Sequence, residues 1–149
     1  WTGLLSKAPS DTILVCQPND NKVALMGELS AEYLQMKGVL GYIVDGGCRD
    51  LEFINQIRFP VWSKFFTPRD IVGYWKPTEM GEPIKIGDVI IKNGDYLIAD
   101  IDGIVIIPRA NITEILTESE NLINTESMIR QEIRGGMDPQ KAYLKYQAF

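Results

Sequence analysis

Apolar runs that alternate with helix-like segments over residues 11–66 constrain the fold of this chain most. The runs "DTILVCQP" (11–18), "VLGYIVDGG" (39–47) and "PVWSKFF" (60–66) are apolar and rich in β-branched or aromatic residues, as buried strands are. The segments between them, "GELSAEYLQMKG" (27–38) and "RDLEFINQIRF" (49–59), carry apolar residues near helical spacing. This alternation predicts parallel βαβ units in the first half of an α/β protein.

The first of these helices has clear end signals. Glu28 lies in its first turn, and Lys37 precedes a terminating Gly38, so the charges complement the helix dipole. Its apolar residues near helical spacing are Leu29, Tyr33, Leu34 and Met36.

The second half of the chain has a different pattern. Residues 83–108 contain short β-branched runs separated by "GD", "NGD" and "DIDG", which predict an antiparallel β-meander. After Pro108 the pattern becomes helical and charged, and Asp138 with Pro139 predicts the start of a last short helix. With 149 residues, no linker-like stretch and no repeat, we expect residues 1–149 to form one domain.

Charge and hydropathy exclude several classes of partner. The net charge is −5 and the basic residues are scattered, which disfavours a nucleic-acid-binding role. No apolar run reaches the ~18 residues of a membrane span, and "WTGLLSKAPSD" lacks the pattern of a signal peptide. Two cysteines, Cys16 and Cys48, are too few for a disulfide framework. We therefore expect a cytoplasmic protein with no membrane or nucleic-acid partner.

The sequence contains no histidine. This excludes Ser-His-Asp and Cys-His catalysis and also zinc held by histidine. Acid–base chemistry must then use carboxylates, lysine, tyrosine or water. A metal site must use oxygen ligands, which favours magnesium, manganese or calcium.

Two predicted turns are expected at one edge of the sheet. In parallel α/β sheets, ligands bind beyond the carboxyl ends of the strands. The helix start at Gly27, Glu28, Leu29 and Ser30 offers free backbone N–H groups for an anion. The next strand runs into "DGGCRD" (45–50), where we expect the glycines to turn the chain. Arg49 can then bind a carboxylate or enolate oxygen, and Asp50 can ligate a divalent cation.

Structural interpretations of the same residues stay open at this point. Glu28 is also typical of an acid in the first turn of a helix, and Arg49 with Asp50 is also typical of a solvated helix start. Asp45 can cap a local turn. The aspartates of the predicted meander are interpreted as turn residues; they are Asp95, Asp100 and Asp102.

The spacing of Glu28 and the pair Arg49-Asp50 resembles a family signature. Glu28, 20 intervening residues and then Arg49-Asp50 is similar to the acid-X20-Arg-Asp pattern of the 4-hydroxy-4-methyl-2-oxoglutarate aldolases, which are related to the regulator of ribonuclease activity A. The flanking segments are similar too: "GELSAEYLQMKGVLGYIVDGGCRD", "FPVWSKFFTPRD", "GDVIIKNGDYLIADIDGIVIIP" and "IRQEIRGGMDPQKAYLKY". The resemblance covers nearly all of the chain.

The resemblance implies a β/β/α swivelling-type fold and trimers or hexamers with active sites between subunits. It implies a divalent metal, Mg²⁺ or Mn²⁺, with Asp50 as its ligand and Arg49 as the residue that holds the pyruvyl group. The substrate-binding helix start maps to Gly27, Glu28, Leu29 and Ser30. Glu28 is also the acid of the signature.

The resemblance also implies an activity and its alternative. The activity is retro-aldol cleavage of a 4-hydroxy-2-oxo acid to pyruvate, with oxaloacetate decarboxylation as a side reaction. The resemblance also implies that a neighbouring subunit donates a carboxylate to the active site, and Glu126 is the residue that corresponds to it. The alternative is a non-catalytic regulator of ribonuclease activity, although such relatives lack the Arg-Asp aspartate that this chain has at Asp50. A methyltransferase is disfavoured because no glycine-rich nucleotide loop follows the first strand.

Two parts of the chain depart from the family pattern. In this sequence "WTGLLSKAPS" precedes the first strand, whereas the resemblance implies a longer N-terminal segment, which we expect to bear on one wall of the pocket. The segment "DIVGYWKPTEMGEPI" (70–84) is not clearly matched to the family pattern, and loops of this kind commonly set substrate choice.

Overall fold

The structure, a computed structural model, describes residues 1–148. The chain divides into two compact units, one of residues 1–93 and one that begins at Gly94. The single domain expected for residues 1–149 stays a prediction. Each unit is described separately below.

The first unit is built on a parallel sheet. Its elements in chain order are α1 (Thr2–Lys7), β1 (Ile13–Cys16), α2 (Glu28–Met36), β2 (Gly41–Cys48), α3 (Leu51–Gln56), β3 (Val61–Phe66), β4 (Ile84–Ile86) and β5 (Val89–Ile91). The sheet order is β1-β2-β3, and both neighbours pair with β2 in parallel. The predicted βαβ units are thus confirmed, whereas α1 had not been predicted from the sequence.

The core of the first unit forms around β2. Tyr42, Val44 and Cys48 of this strand are at most 3% exposed, and α2 packs Ala31 and Leu34 against the same core. Leu29 and Met36 of α2 lie outside this core, with 79% and 86% of their surface exposed. The helix was therefore predicted correctly, but only part of its apolar pattern faces the sheet.

The two glycines of "DGGCRD" do not form the turn expected from the sequence. Strand β2 continues through them to Cys48. A Cβ on Gly47 would lie 2.5 Å from the carbonyl oxygen of Val23, and the Gly47 carbonyl accepts a hydrogen bond from the Leu25 amide at 2.8 Å. Glycine is required here because a neighbouring backbone approaches closely. The segment 23–26 thereby continues the sheet beside the end of β2, with an Ala24–Gly47 bridge.

The second unit combines a hairpin with a short 3₁₀ helix and two α-helices. Its elements are β6 (Tyr96–Ala99), β7 (Ile104–Ile107), the 3₁₀ helix Arg109–Asn111, α4 (Ile112–Arg134) and α5 (Pro139–Tyr146). Strands β4 and β5, like β6 and β7, pair antiparallel, so the predicted meander takes the form of two hairpins. Asp138 caps α5 by accepting from the Lys141 amide at 3.1 Å, as predicted. Asp100 accepts from the amides of Asp102 and Gly103 in the β6–β7 turn.

Within residues 1–148, no helix is both long and apolar enough to cross a membrane.

Candidate functional site

Asp50 connects the beginnings of two helices. It directly precedes α3 with left-handed backbone angles (φ 60°, ψ 36°), which aspartate tolerates better than most residues. Its side chain does not cap α3. Instead, Oδ2 accepts a hydrogen bond from the backbone N–H of Glu28, the first residue of α2, at 3.1 Å. A carboxylate is stabilised there because the first amides of a helix have no intrahelical acceptors and carry partial positive charge.

Gly27 leaves the space that this arrangement needs. A Cβ at this position would lie 2.7 Å from Asp50 Oδ2 and 3.0 Å from Arg49 Nε. The backbone is extended (φ −150°), so other residues could adopt it, and the constraint is therefore steric. Gly27 is required because Arg49 and Asp50 approach its backbone directly.

Arg49 lies between two carboxylates. Its Nη1 donates to Asp70 Oδ2 at 2.6 Å, and its Nε is 3.5 Å from Asp50 Oδ2. The hydrogen bond to Asp70 raises the pKa of Arg49 above its ordinary value. The Val72 amide and then Arg49 lower the pKa of Asp70. The guanidinium is thus charged and held at the edge of the sheet.

Asp70 is a site residue that the sequence analysis missed. It lies in the loop after β3, beyond the carboxyl end of the strand adjacent to β2. The rule that ligands bind at this edge applies to β3 as well as to β1 and β2, so the "TPRD" segment did carry a usable signal.

An open cleft of about 540 Å³ borders Arg49 and Asp50. Its lining residues are Cys48, Arg49, Asp50, Leu51, Phe66, Thr67 and Pro68. The charged pair forms a polar part of the wall, whereas Phe66, Leu51 and Pro68 contribute apolar surface. Cys48 is fully buried, and burial raises the pKa of its thiol to about 11, so it is a poor nucleophile.

The other predicted residues have mixed surroundings. The structure brings Gly27, the Glu28 amide, Arg49 and Asp50 together, and Leu29 lies exposed in the first turn of α2. The Ser30 hydroxyl oxygen accepts a hydrogen bond from Trp1 Nε1 at 2.9 Å. Glu126 lies on α4 of the second unit, where it is 3.9 Å from Arg130, and its role stays a prediction.

The donor atoms at Asp50 suit a hard divalent cation. Asp50 Oδ2 is engaged by the Glu28 amide, whereas Oδ1 has no hydrogen-bond partner within residues 1–148. The side chain is 37% exposed and borders the cleft. Residues 1–148 contain no group of three or more Cys, Asp or Glu that could hold a metal. A cation here would be bound by one carboxylate and completed by water or substrate, as Mg²⁺ commonly is.

The chain matches the model of a known family. Residues 2–106 match the family model for RraA-like proteins, which is described as Aldolase/RraA. The chain belongs to this RraA-like family, which confirms the resemblance inferred from the sequence. The α/β fold predicted with it is confirmed as well.

Individual relatives support the same assignment. The chain is 33% identical over 120 residues to an uncharacterized protein of Methanocaldococcus jannaschii, covering 78% of this chain and 56% of that protein. It is 30% identical over 88 residues to 4-hydroxy-4-methyl-2-oxoglutarate aldolase of Thermus thermophilus, covering 59% and 53%. The crystal structure of Streptomyces coelicolor RraAS2, an unusual member of the RNase ES inhibitor RraA protein family, has a TM-score of 0.81 at 26% identity, covering 88% and 67%. The chain spans less than two thirds of the length of these two curated relatives.

Proposed function

We propose that this protein is a divalent-cation-dependent lyase that cleaves 4-hydroxy-2-oxo acids to pyruvate. The observation that carries the proposal is that Arg49 and Asp50 lie against the first turn of α2, where Gly27 has no side chain to separate them from the backbone. The name of the Thermus thermophilus relative supports the reaction class. Substrates of the 4-hydroxy-4-methyl-2-oxoglutarate type are the class that we expect.

The reaction needs positive charge at the keto oxygen of the substrate, where negative charge develops. The C4 hydroxyl loses its proton and becomes the carbonyl group of the released fragment as the C3–C4 bond breaks. The electron pair of that bond moves toward the keto oxygen to give the enolate of pyruvate, which takes a proton at C3 to form pyruvate. Arg49 would bind that oxygen as a fixed cation. The amides of the α2 first turn (27–30) other than that of Glu28, which donates to Asp50, would hold the substrate carboxylate. Asp50 would hold Mg²⁺ or Mn²⁺, which supplies Lewis-acid stabilisation when it is bound.

A base must accept the C4 hydroxyl proton. The chain has no histidine, so a carboxylate acting through an ordered water is the natural choice. Glu28 begins α2 next to Asp50 and is the residue that we assign to this role. Oxaloacetate decarboxylation forms the same enolate, so we expect it as a side activity.

We propose further that the protein is a homo-oligomer, a trimer or hexamer, with the site near a subunit interface. The support is the apolar surface that α2 leaves exposed, which includes Leu29 in its first turn, beside the site, and Met36 in its last turn. Light scattering coupled to size exclusion measures the mass directly. A monomer at micromolar concentration would contradict this part of the proposal.

The alternative function is regulation of a ribonuclease by protein contact. It is favoured by the similarity to RraAS2, which belongs to an RNase ES inhibitor family. Inhibition of an RNase E-type ribonuclease by the purified protein, without any pyruvate release, would favour this alternative.

The test is a coupled assay for pyruvate release from 4-hydroxy-4-methyl-2-oxoglutarate with Mg²⁺. We expect turnover that EDTA abolishes and that added Mg²⁺ or Mn²⁺ restores. Absence of turnover with either metal, or undiminished turnover in EDTA, would overturn the proposed function.

A further inference from the structure

Asp70 is the closer of the two carboxylates that contact Arg49. The distance from Arg49 Nη1 to Asp70 Oδ2 is 2.6 Å, whereas Arg49 Nε is 3.5 Å from Asp50 Oδ2. The first is a short charge-assisted hydrogen bond, and the second is a looser ion pair. The direction of the guanidinium is therefore set mainly by Asp70.

Asp70 is itself held in place by its own loop. Its second oxygen, Oδ1, accepts a hydrogen bond from the Val72 amide at 2.8 Å. The carbonyl of the preceding Arg69 accepts from the Ala24 amide at 2.8 Å. Since Ala24 belongs to the buried segment beside β2, the carboxylate of Asp70 is fixed relative to the sheet.

Arg49 is anchored to the same frame at its backbone. Its amide donates to the Met26 carbonyl at 2.9 Å, next to the start of α2. A guanidinium has five N–H donors, of which Asp50 and Asp70 engage one each. Nη2 has no acceptor within residues 1–148, so its donors remain available to a ligand.

We propose that Asp70 is a positioning residue, which holds Arg49 so that Nη2 faces an anionic substrate and so that the guanidinium does not close onto Asp50. Without Asp70, Arg49 would be free to pair fully with Asp50, and both groups would be less available. The inference rests on the proposed function for the identity of the substrate, a 2-oxo acid. The geometry of the pair does not depend on it.

The variant Asp70→Asn separates this role from a structural one. Asparagine keeps an oxygen that can accept from the Val72 amide, so the turn is retained, but its NH2 group cannot accept from Arg49. Asp88→Asn is the matched control, because Asp88 lies fully exposed in the β4–β5 turn and the same charge is removed. Thermal unfolding of both variants checks that the fold is equally retained.

The first readout is the rotation of the Arg49 guanidinium, measured by side-chain ¹⁵N NMR and assigned with Arg49→Lys. We expect slow rotation in the wild type and in Asp88→Asn, and fast rotation in Asp70→Asn. The second readout is steady-state kinetics, where we expect kcat/KM of Asp70→Asn to fall about tenfold, mainly through KM. Unchanged rotation in Asp70→Asn, or a KM within about twofold of the Asp88→Asn value, would overturn the inference.

The binding of oxalate, a planar dianion that resembles the pyruvate enolate, distinguishes failure of this inference from failure of the proposed function. A wild type that cleaves no keto acid but binds oxalate about tenfold more tightly than Asp70→Asn overturns the proposed reaction and supports the positioning role. Equal oxalate affinity in the two proteins, or no binding by either, overturns the positioning role.

Discussion

The backbone amide of Glu28 donates a hydrogen bond to the carboxylate of Asp50 at 3.1 Å, across 22 positions of sequence. The acid–Arg-Asp spacing therefore has a direct structural meaning. The spacing corresponds to the chain that forms α2 and then β2, because the end of β2 brings Asp50 back beside the start of α2. The carboxylate at the end of that path lies where helix amides favour negative charge.

We predict that Gly27→Ala impairs activity while the protein stays folded. The added methyl group would lie 2.7 Å from Asp50 Oδ2, so it would displace Arg49 and Asp50. We expect kcat/KM to fall at least about tenfold, while the free energy of unfolding falls by about 1 kcal/mol, the effect of alanine at a helix N-cap. Gly3→Ala is the control because nothing lies within 4 Å of its added methyl group. Activity of Gly27→Ala equal to that of Gly3→Ala would contradict this account.

We predict that Gly47→Ala destabilises the first unit. Its methyl group would lie 2.5 Å from the Val23 carbonyl oxygen and 2.8 Å from the Phe65 ring, so the backbone beside β2 must move. We expect a loss of about 1–3 kcal/mol, as for other overpacked cores. Urea unfolding with the wild type as the reference measures it, and equal midpoints would show that the close approach is not required.

The parallel sheet could be predicted because its signals are local. Strands β1, β2 and β3 lie in mainly apolar runs, and the segments between them carry helix-end residues that need no tertiary information. The exposure of Leu29 and Met36 could not be predicted in the same way, because the periodicity of a helix shows which residues are apolar but not what covers them. The role of Gly47 was misjudged for a related reason. The sequence does not distinguish a glycine that forms a turn from a glycine that allows a neighbouring backbone to approach closely.

The candidate site was predictable only in part. Arg49, Asp50 and the α2 start follow from the carboxyl-edge rule and from the family spacing. The contact between Arg49 and Asp70 depends on how an irregular loop folds back over 21 positions, and no periodic pattern encodes that path. The cleft wall formed by Thr67 and Pro68 depends on the same loop.

We predict an acid-sensitive contribution of Glu132 to the stability of the second unit. Glu132 Oε1 accepts from Lys145 Nζ at 2.5 Å and from the Tyr146 hydroxyl at 2.7 Å, which joins α4 to α5. Lys145, and then Tyr146, lower the pKa of Glu132 in the folded state. The stabilisation is therefore complete above the unfolded pKa of about 4.3 and is lost as the pH falls through the lower folded value.

The comparison of the wild type with Glu132→Gln in urea unfolding at several pH values measures this contribution. The stability difference should be present at pH 7 and should decline below about pH 4. Glu120→Gln, at an exposed position on the same helix, should show no such decline. A difference that is constant from neutral to acidic pH would contradict the assignment of the pKa shift to this contact.

The most direct test of the central claim is to measure Mn²⁺ binding and pyruvate release on the same preparations of the wild type and Asp50→Ala. The account predicts that the wild type binds Mn²⁺ and releases pyruvate, and that Asp50→Ala loses both while it retains its fold by circular dichroism. Since Asp50 offers the free carboxylate oxygen at the cleft, no other residue of the site should replace it. Mn²⁺ affinity and turnover of Asp50→Ala that match the wild type would contradict the account.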